Sequence, residues 1–120
     1  MKERVIKLWT NALRSKKYNQ VPKNEVLRNN KDEYCVLGVL CDLHSKENNI
    51  SWDLDKDKGY YTYLGMSSAD DFRVEKIEHW SGEHKINQNG FSDKWDKISD
   101  CGSLEENADL IEDCFESDYD

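Results

Sequence analysis

Proline occurs once and methionine twice in the 120 residues, and no stretch of eighteen apolar residues exists. The chain therefore offers no candidate transmembrane helix. No charged n-region followed by an apolar h-region opens it, so the expected compartment is the cytosol of whatever cell makes it rather than a secretory route. No C-x-x-C is present among the four cysteines, Cys35, Cys41, Cys101 and Cys114. In a reducing compartment these read as free thiols, not disulfides, zinc ligands or a redox pair. Walker, H-E-x-x-H, G-x-S-x-G and dinucleotide motifs are also lacking. No catalytic residue, metal or cofactor is assigned.

Basic residues are missing from the C-terminal end. Asp100 to Asp120 contains nine Asp/Glu and no Lys or Arg, whereas residues 1–31 hold nine Lys/Arg against two Glu. The formal charge of -8 is thus a dipole along the chain: +7 at one end, -9 at the other and -6 between. Charged residues make up 35% and apolar residues only 37%, but four Trp, six Tyr and three Phe argue for an aromatic-rich core rather than disorder. The length suits one domain, 1–116, followed by an acidic tail, 117–120.

Hydrophobic periodicity supports an α+β domain with about four helices (2–15, 34–47, 69–81, 103–116) and two short antiparallel hairpins. Val5, Leu8, Trp9, Ala12 and Leu13 fall on one face of the first helix. Pro22 disfavours helix beyond it, and a short extended piece, Glu25 to Leu27, is expected next. The stretch YCVLGVLCDLH, Tyr34 to His44, is apolar all round a helical wheel; its composition also suits a strand, but its length favours a buried central helix. Gly38 in its interior predicts close approach of a neighbour, for which the first helix is the candidate. ISWDLDKDKGYYTYLGM reads as a hairpin. Ser68 with Asp71 opens a helix carrying Phe72, Val74, Ile77 and Trp80, and Asn89-Gly90 marks the second hairpin. Ser103 and Glu106 form a capping signal ahead of Leu104, Ala108, Ile111 and Phe115.

Several motifs coincide with this framework. Trp9, Ala12, Leu13, Arg14, Ser15, Lys17, Tyr18 and Gln20 follow W-x-x-A-L-R-S-G-K-Y-x-Q. Leu27 and Arg28 precede Tyr34, Cys35, Leu37 to Cys41, Asp42 and Leu43, which follow Y-C-C-L-G-V-L-C-D-L. Ile98, Asp100, Gly102, Ser103, Leu104, Ala108, Asp109, Ile111 and Glu112 follow L-N-D-x-G-x-S-F-x-E-I-A-D-x-I-E. These patterns resemble a family of small uncharacterised proteins of tailed phages and prophages. Lys16 stands where the pattern has Gly, Val36 where it has the second Cys, and Ser99 where it has Asn. The resemblance implies a phage-borne accessory protein and no particular reaction.

Two surfaces are candidates for binding. Glu105, Asp109, Glu112, Asp113 and Glu116 form the acidic face of the last helix, either a solubilising surface or a face that engages a basic partner. Combined with the phage resemblance, this face suggests a non-enzymatic counter-defence protein that binds and inhibits a host defence protein. Arg14, Lys17, Tyr18, Gln20 and Arg28 either complement the end of the first helix or form a pocket for an anionic planar ligand, such as a nucleotide-derived immune signal. A small hydrolase acting on such a ligand is the third reading. Direct binding of duplex nucleic acid is not expected beside so acidic a C-terminal segment, and no membrane partner is expected.

Overall fold

In the computed structural model, the described residues are 2–22, 26–67 and 103–115, with Ile77 and Trp80. Helix α1, Glu3–Arg14, buries Val5, Ile6, Trp9, Thr10 and Leu13. Its buried face is rotated from the sequence expectation: Ile6 and Thr10 are buried, while Leu8 and Ala12 are only partly covered. Thr10 tolerates burial because its hydroxyl donates to the Ile6 carbonyl at 2.9 Å.

Helix α2, Val36–Asn48, buries nine of its thirteen residues, which makes it the central element. It starts two residues later than expected. Tyr34 belongs to a strand, and Cys35 has extended backbone and caps the helix by accepting the Gly38 N–H on Sγ at 3.4 Å. Asn49 ends it with φ 55°, a left-handed position that Asn tolerates well. The neighbour at Gly38 is not α1. A Cβ there would lie 1.9 Å from the Leu27 carbonyl oxygen, so the backbone entering the sheet makes the close approach. Helix α1 instead meets the first turn of α2, where Trp9 Nε1 donates to the Val36 carbonyl at 3.0 Å.

The strands form one five-stranded sheet rather than separate hairpins. They are β1 Asn19–Gln20, β2 Arg28–Asn29, β3 Glu33–Tyr34, β4 Asp53–Asp55 and β5 Tyr60–Thr62, in the order β1-β3-β2-β5-β4. Only the β1/β3 pair is parallel. The hairpin expected from ISWDLDKDKGYYTYLGM is β4–β5, closed by Asp55 accepting the Asp57 and Lys58 N–H groups and by Gly59 at φ 77°. Strands β1 to β3 have two residues each, too few to show alternation; β2 and β3 pair across the short turn 30–32, whereas β1–β3 and β2–β5 pair residues distant in sequence. Of the extended piece expected at Glu25 to Leu27, Val26 and Leu27 are not strand and Glu25 lies outside the described residues; the strand comes just after, at Arg28–Asn29.

Helix α3, Leu104–Phe115, is capped by Ser103 Oγ accepting the Glu106 N–H at 3.1 Å, and packs Leu104, Ala108 and Ile111 into the core beside α1. Three helices have both ends among the described residues, against the four expected. The expected helix at 69–81 lies outside them except for Ile77 and Trp80, which are helical; Ile77 is fully buried. The expected Asn89-Gly90 hairpin, Glu116 and the tail 117–120 also lie outside them. No helix among the described residues is long and apolar enough to cross a membrane.

Candidate functional site

Asp42 is the buried carboxylate of α2, with its side chain only 8% exposed. A carboxylate held out of water needs charge or hydrogen-bond partners. Three segments supply them: Tyr18 Oη donates to Oδ2 at 2.6 Å, Trp52 Nε1 to Oδ1 at 3.1 Å, and Lys46 Nζ lies 3.0 Å from Oδ2. Lys46, one turn along α2, also reaches Tyr18 Oη at 3.3 Å. Asp42 thereby fixes the α1–β1 connection and the approach to β4 against the central helix. Burial, then the hydrogen bond to Asp42, raises the Tyr18 pKa, so its hydroxyl stays a donor at neutral pH.

Arg28 forms the opposite wall. Its register places it across from Tyr34 on β3 and Tyr61 on β5, so aromatic residues flank it on both neighbouring strands. The guanidinium lies 4.0 Å from the Tyr61 ring centre, 5.2 Å from that of Tyr34 and 5.5 Å from that of Trp52. Such cation–π contacts stabilise a charge that has lost water. Arg28 Nε and Nη2 donate to Asp32 Oδ1 at 3.1 and 2.6 Å. Burial alone would lower the Arg28 pKa, but Asp32 and the phenolic oxygens of Tyr34 and Tyr61 raise it. Tyr34 stands edge-on to both Tyr18 and Trp52, and burial pushes its phenol up to about 12.

Between these walls lies a cleft of about 560 Å³, bordered by Ser15, Lys17, Tyr18, Arg28, Asp32, Tyr34, Asp42 and Lys46. Of the ligand-binding residues expected from sequence, Lys17, Tyr18 and Arg28 are brought together here. Arg14 and Gln20 are not. Arg14 sits on the α1 face turned toward α3, where its guanidinium pairs with Asp109 at 2.7 Å and with Glu112. Hydrogen bonding to Glu112, then Asp109, raises its pKa. Gln20 borders a smaller neighbouring cleft of about 330 Å³ with Ser103 and Leu104.

Asp32, Tyr34, Asp42 and Lys46 join the site unanticipated. One signal was present: a lone Asp in an otherwise apolar helix, with Lys four residues later, is a pattern that requires partners.

The acidic face of α3 is divided. Glu105 and Asp113 are exposed, Asp109 and Glu112 are paired with Arg14, and Glu116 lies outside the described residues. Cys35 and Cys41 are buried free thiols. Burial pushes Cys35 up to about 11 and also holds Cys41 well above the usual thiol range, which makes both poor nucleophiles. His44, one turn along α2 from Cys41, places Nδ1 2.6 Å from Tyr63 Oη and packs edge-on to Trp80. Among the described residues no three His, Cys, Asp or Glu side chains gather as metal ligands.

Fold and cleft together define a small α+β domain with an aromatic, mixed-charge recess between its central helix and its sheet. Residues 1–113 match the family described as Domain of unknown function (DUF8296), and the chain belongs to that family. No curated protein and no solved structure matches it.

Proposed function

We propose that this is a phage-borne, non-enzymatic binding protein whose cleft sequesters a small planar anion of nucleotide type, acting on a host defence signal in the host cytosol. The observation carrying the proposal is the cleft itself. About 560 Å³ falls within the usual size of small-molecule pockets, and Lys17, Tyr18 and Arg28, drawn from two separated motifs, converge on it. Its walls combine cations for a phosphate with phenol edges for a base. The phage setting is supported by the motif resemblance, and the nucleotide class by the chemistry of the walls.

A second reading assigns the function to the acidic helix, as an inhibitor of a host defence protein through Glu105, Asp109, Glu112, Asp113 and Glu116. The exposure of Glu105 and Asp113 favours it. It ranks second because the pairing of Asp109 and Glu112 with Arg14 reduces the charge offered to a partner. Thermal unfolding against a panel of linear and cyclic nucleotides separates the readings. A ligand at 100 times its Kd should add about 2.7 kcal/mol of stability. No shift with any nucleotide, together with capture of a host protein that is lost when Glu105, Asp109, Glu112 and Asp113 are charge-reversed, would favour the inhibitor. Turnover of a bound nucleotide would instead indicate a small hydrolase.

A further inference from the structure

We infer that the cleft is matched to a monoanion, a planar ligand carrying one phosphodiester-type charge, and that it discriminates against nucleotides of higher charge. The inference rests on the cleft reading above and adds the charge of its ligand.

Among the described residues, three cations, Lys17, Arg28 and Lys46, and two carboxylates, Asp32 and Asp42, border the cleft, a net charge of +1. Two of the cations already have a carboxylate. Arg28 uses Nε and Nη2 on Asp32 Oδ1, and Lys46 lies against Asp42 Oδ2. Neither can give its full charge to a phosphate without loosening a pair that anchors the walls. Lys17 is exposed and has no carboxylate partner among the described residues, so it supplies the uncompensated charge. Tyr18 adds a neutral phenol beside it.

The carboxylates set the upper limit. Asp32 and Asp42 both line the recess, so any ligand charge placed in it comes close to their carboxylates. A first negative charge on the ligand meets Lys17; a second meets two carboxylates whose cations are engaged. Like charges brought together in a partly desolvated recess repel more strongly than in water.

The test is calorimetric titration of the full chain, at low salt and neutral pH, with a neutral nucleoside, its cyclic monophosphate, its linear monophosphate of charge about -2 and its triphosphate, for adenine, guanine and uracil. Tightest binding of the cyclic monophosphate, with affinity falling toward the triphosphate, is the expected order. Asp32→Asn leaves an oxygen for Arg28 and suits the left-handed backbone at this position, φ 59°. It raises the cleft to +2 and should shift preference roughly tenfold toward the linear monophosphate. Lys17→Gln should weaken the cyclic monophosphate roughly tenfold and leave the neutral nucleoside unchanged. Affinity that rises with ligand charge, or a charge preference unmoved by Asp32→Asn in a folded variant, overturns this inference alone. Failure of every ligand, the neutral nucleosides included, overturns it together with the cleft reading.

Discussion

Lys16 has φ 64°, a left-handed conformation that costs an L-residue about 1 to 2 kcal/mol. It follows the end of α1, where Ser15 donates to the Ala12 carbonyl at 2.7 Å and accepts the Lys17 N–H at 3.2 Å, and this tight turn aims Lys17 and Tyr18 at the cleft. Glycine, with no Cβ, adopts this conformation without that cost. Lys16→Gly should therefore stabilise the fold by about 0.5 to 1 kcal/mol, the relief of strain being partly offset by a more flexible unfolded chain. A rise in the urea midpoint at unchanged slope would register it; a lower midpoint would contradict it. Gly38 is the converse case. A methyl there would collide with the Leu27 carbonyl, which also accepts the Cys35 N–H at 3.1 Å, so the clash and the strand–helix junction are one problem. Gly38→Ala is expected to cost about 3 kcal/mol or more by the same titration.

Elements differ in how far their own sequence specifies them. Helix α2 is plain in YCVLGVLCDLH because its apolar residues cover every side, and helix α3 because Ser103 caps a regular apolar stripe. Leu37→Ala or Leu40→Ala should cost roughly 2 to 5 kcal/mol, as both leucines are 1% exposed. A near-neutral result in chemical denaturation would remove α2 from the centre of the core. The sheet is the hard part. The β4–β5 and β2–β3 turns are both local, the first closed by Asp55 and Gly59, the second by Asn29 and by Asp32 at φ 59°, while Asn19 with Glu33 and Arg28 with Tyr61 pair across long stretches of chain. No local pattern records such pairings, and for that reason half of the cleft was illegible. Lys17, Tyr18 and Arg28 could be picked out as a polar cluster, but Asp42 and Tyr34 were hidden inside a segment whose evident task is packing. Arg14 shows the opposite error: adjacent in sequence to the ligand cluster, it lies on the helix face turned toward α3.

At the scale of the molecule, the charge dipole of the sequence is partly closed by the fold. The basic α1 packs beside the acidic α3, and Arg14 joins them through Asp109 and Glu112. These pairs are exposed, so they contribute modestly and weaken with salt. The stronger pH dependence belongs to protons held in the interior. Burial pushes Cys35 from 9.0 up to about 11 and Tyr34 from 10.0 up to about 12, and raises Cys41, Tyr18 and Tyr63 as well. In each case the unfolded chain gives up its proton at a lower pH than the folded one. Above pH 9 the folded state therefore binds more protons than the unfolded state, and stability must fall as pH rises. The stabilisation is intact below the unfolded values and is lost from about 9 for the thiols and about 10 for the phenols, continuing to about 12. For Tyr34 alone the loss is on the order of 2 kcal/mol across that window. Urea midpoints measured in steps from about pH 8 to about pH 11 should decline, more steeply once the tyrosines of the unfolded chain ionise. Tyr34→Phe keeps the ring between Tyr18 and Trp52 but removes the proton, so its midpoint should fall less over the alkaline steps than that of the parent. Equal slopes would mean that Tyr34 does not hold its proton in the fold, and the aromatic wall of the cleft would then be wetter than its geometry implies.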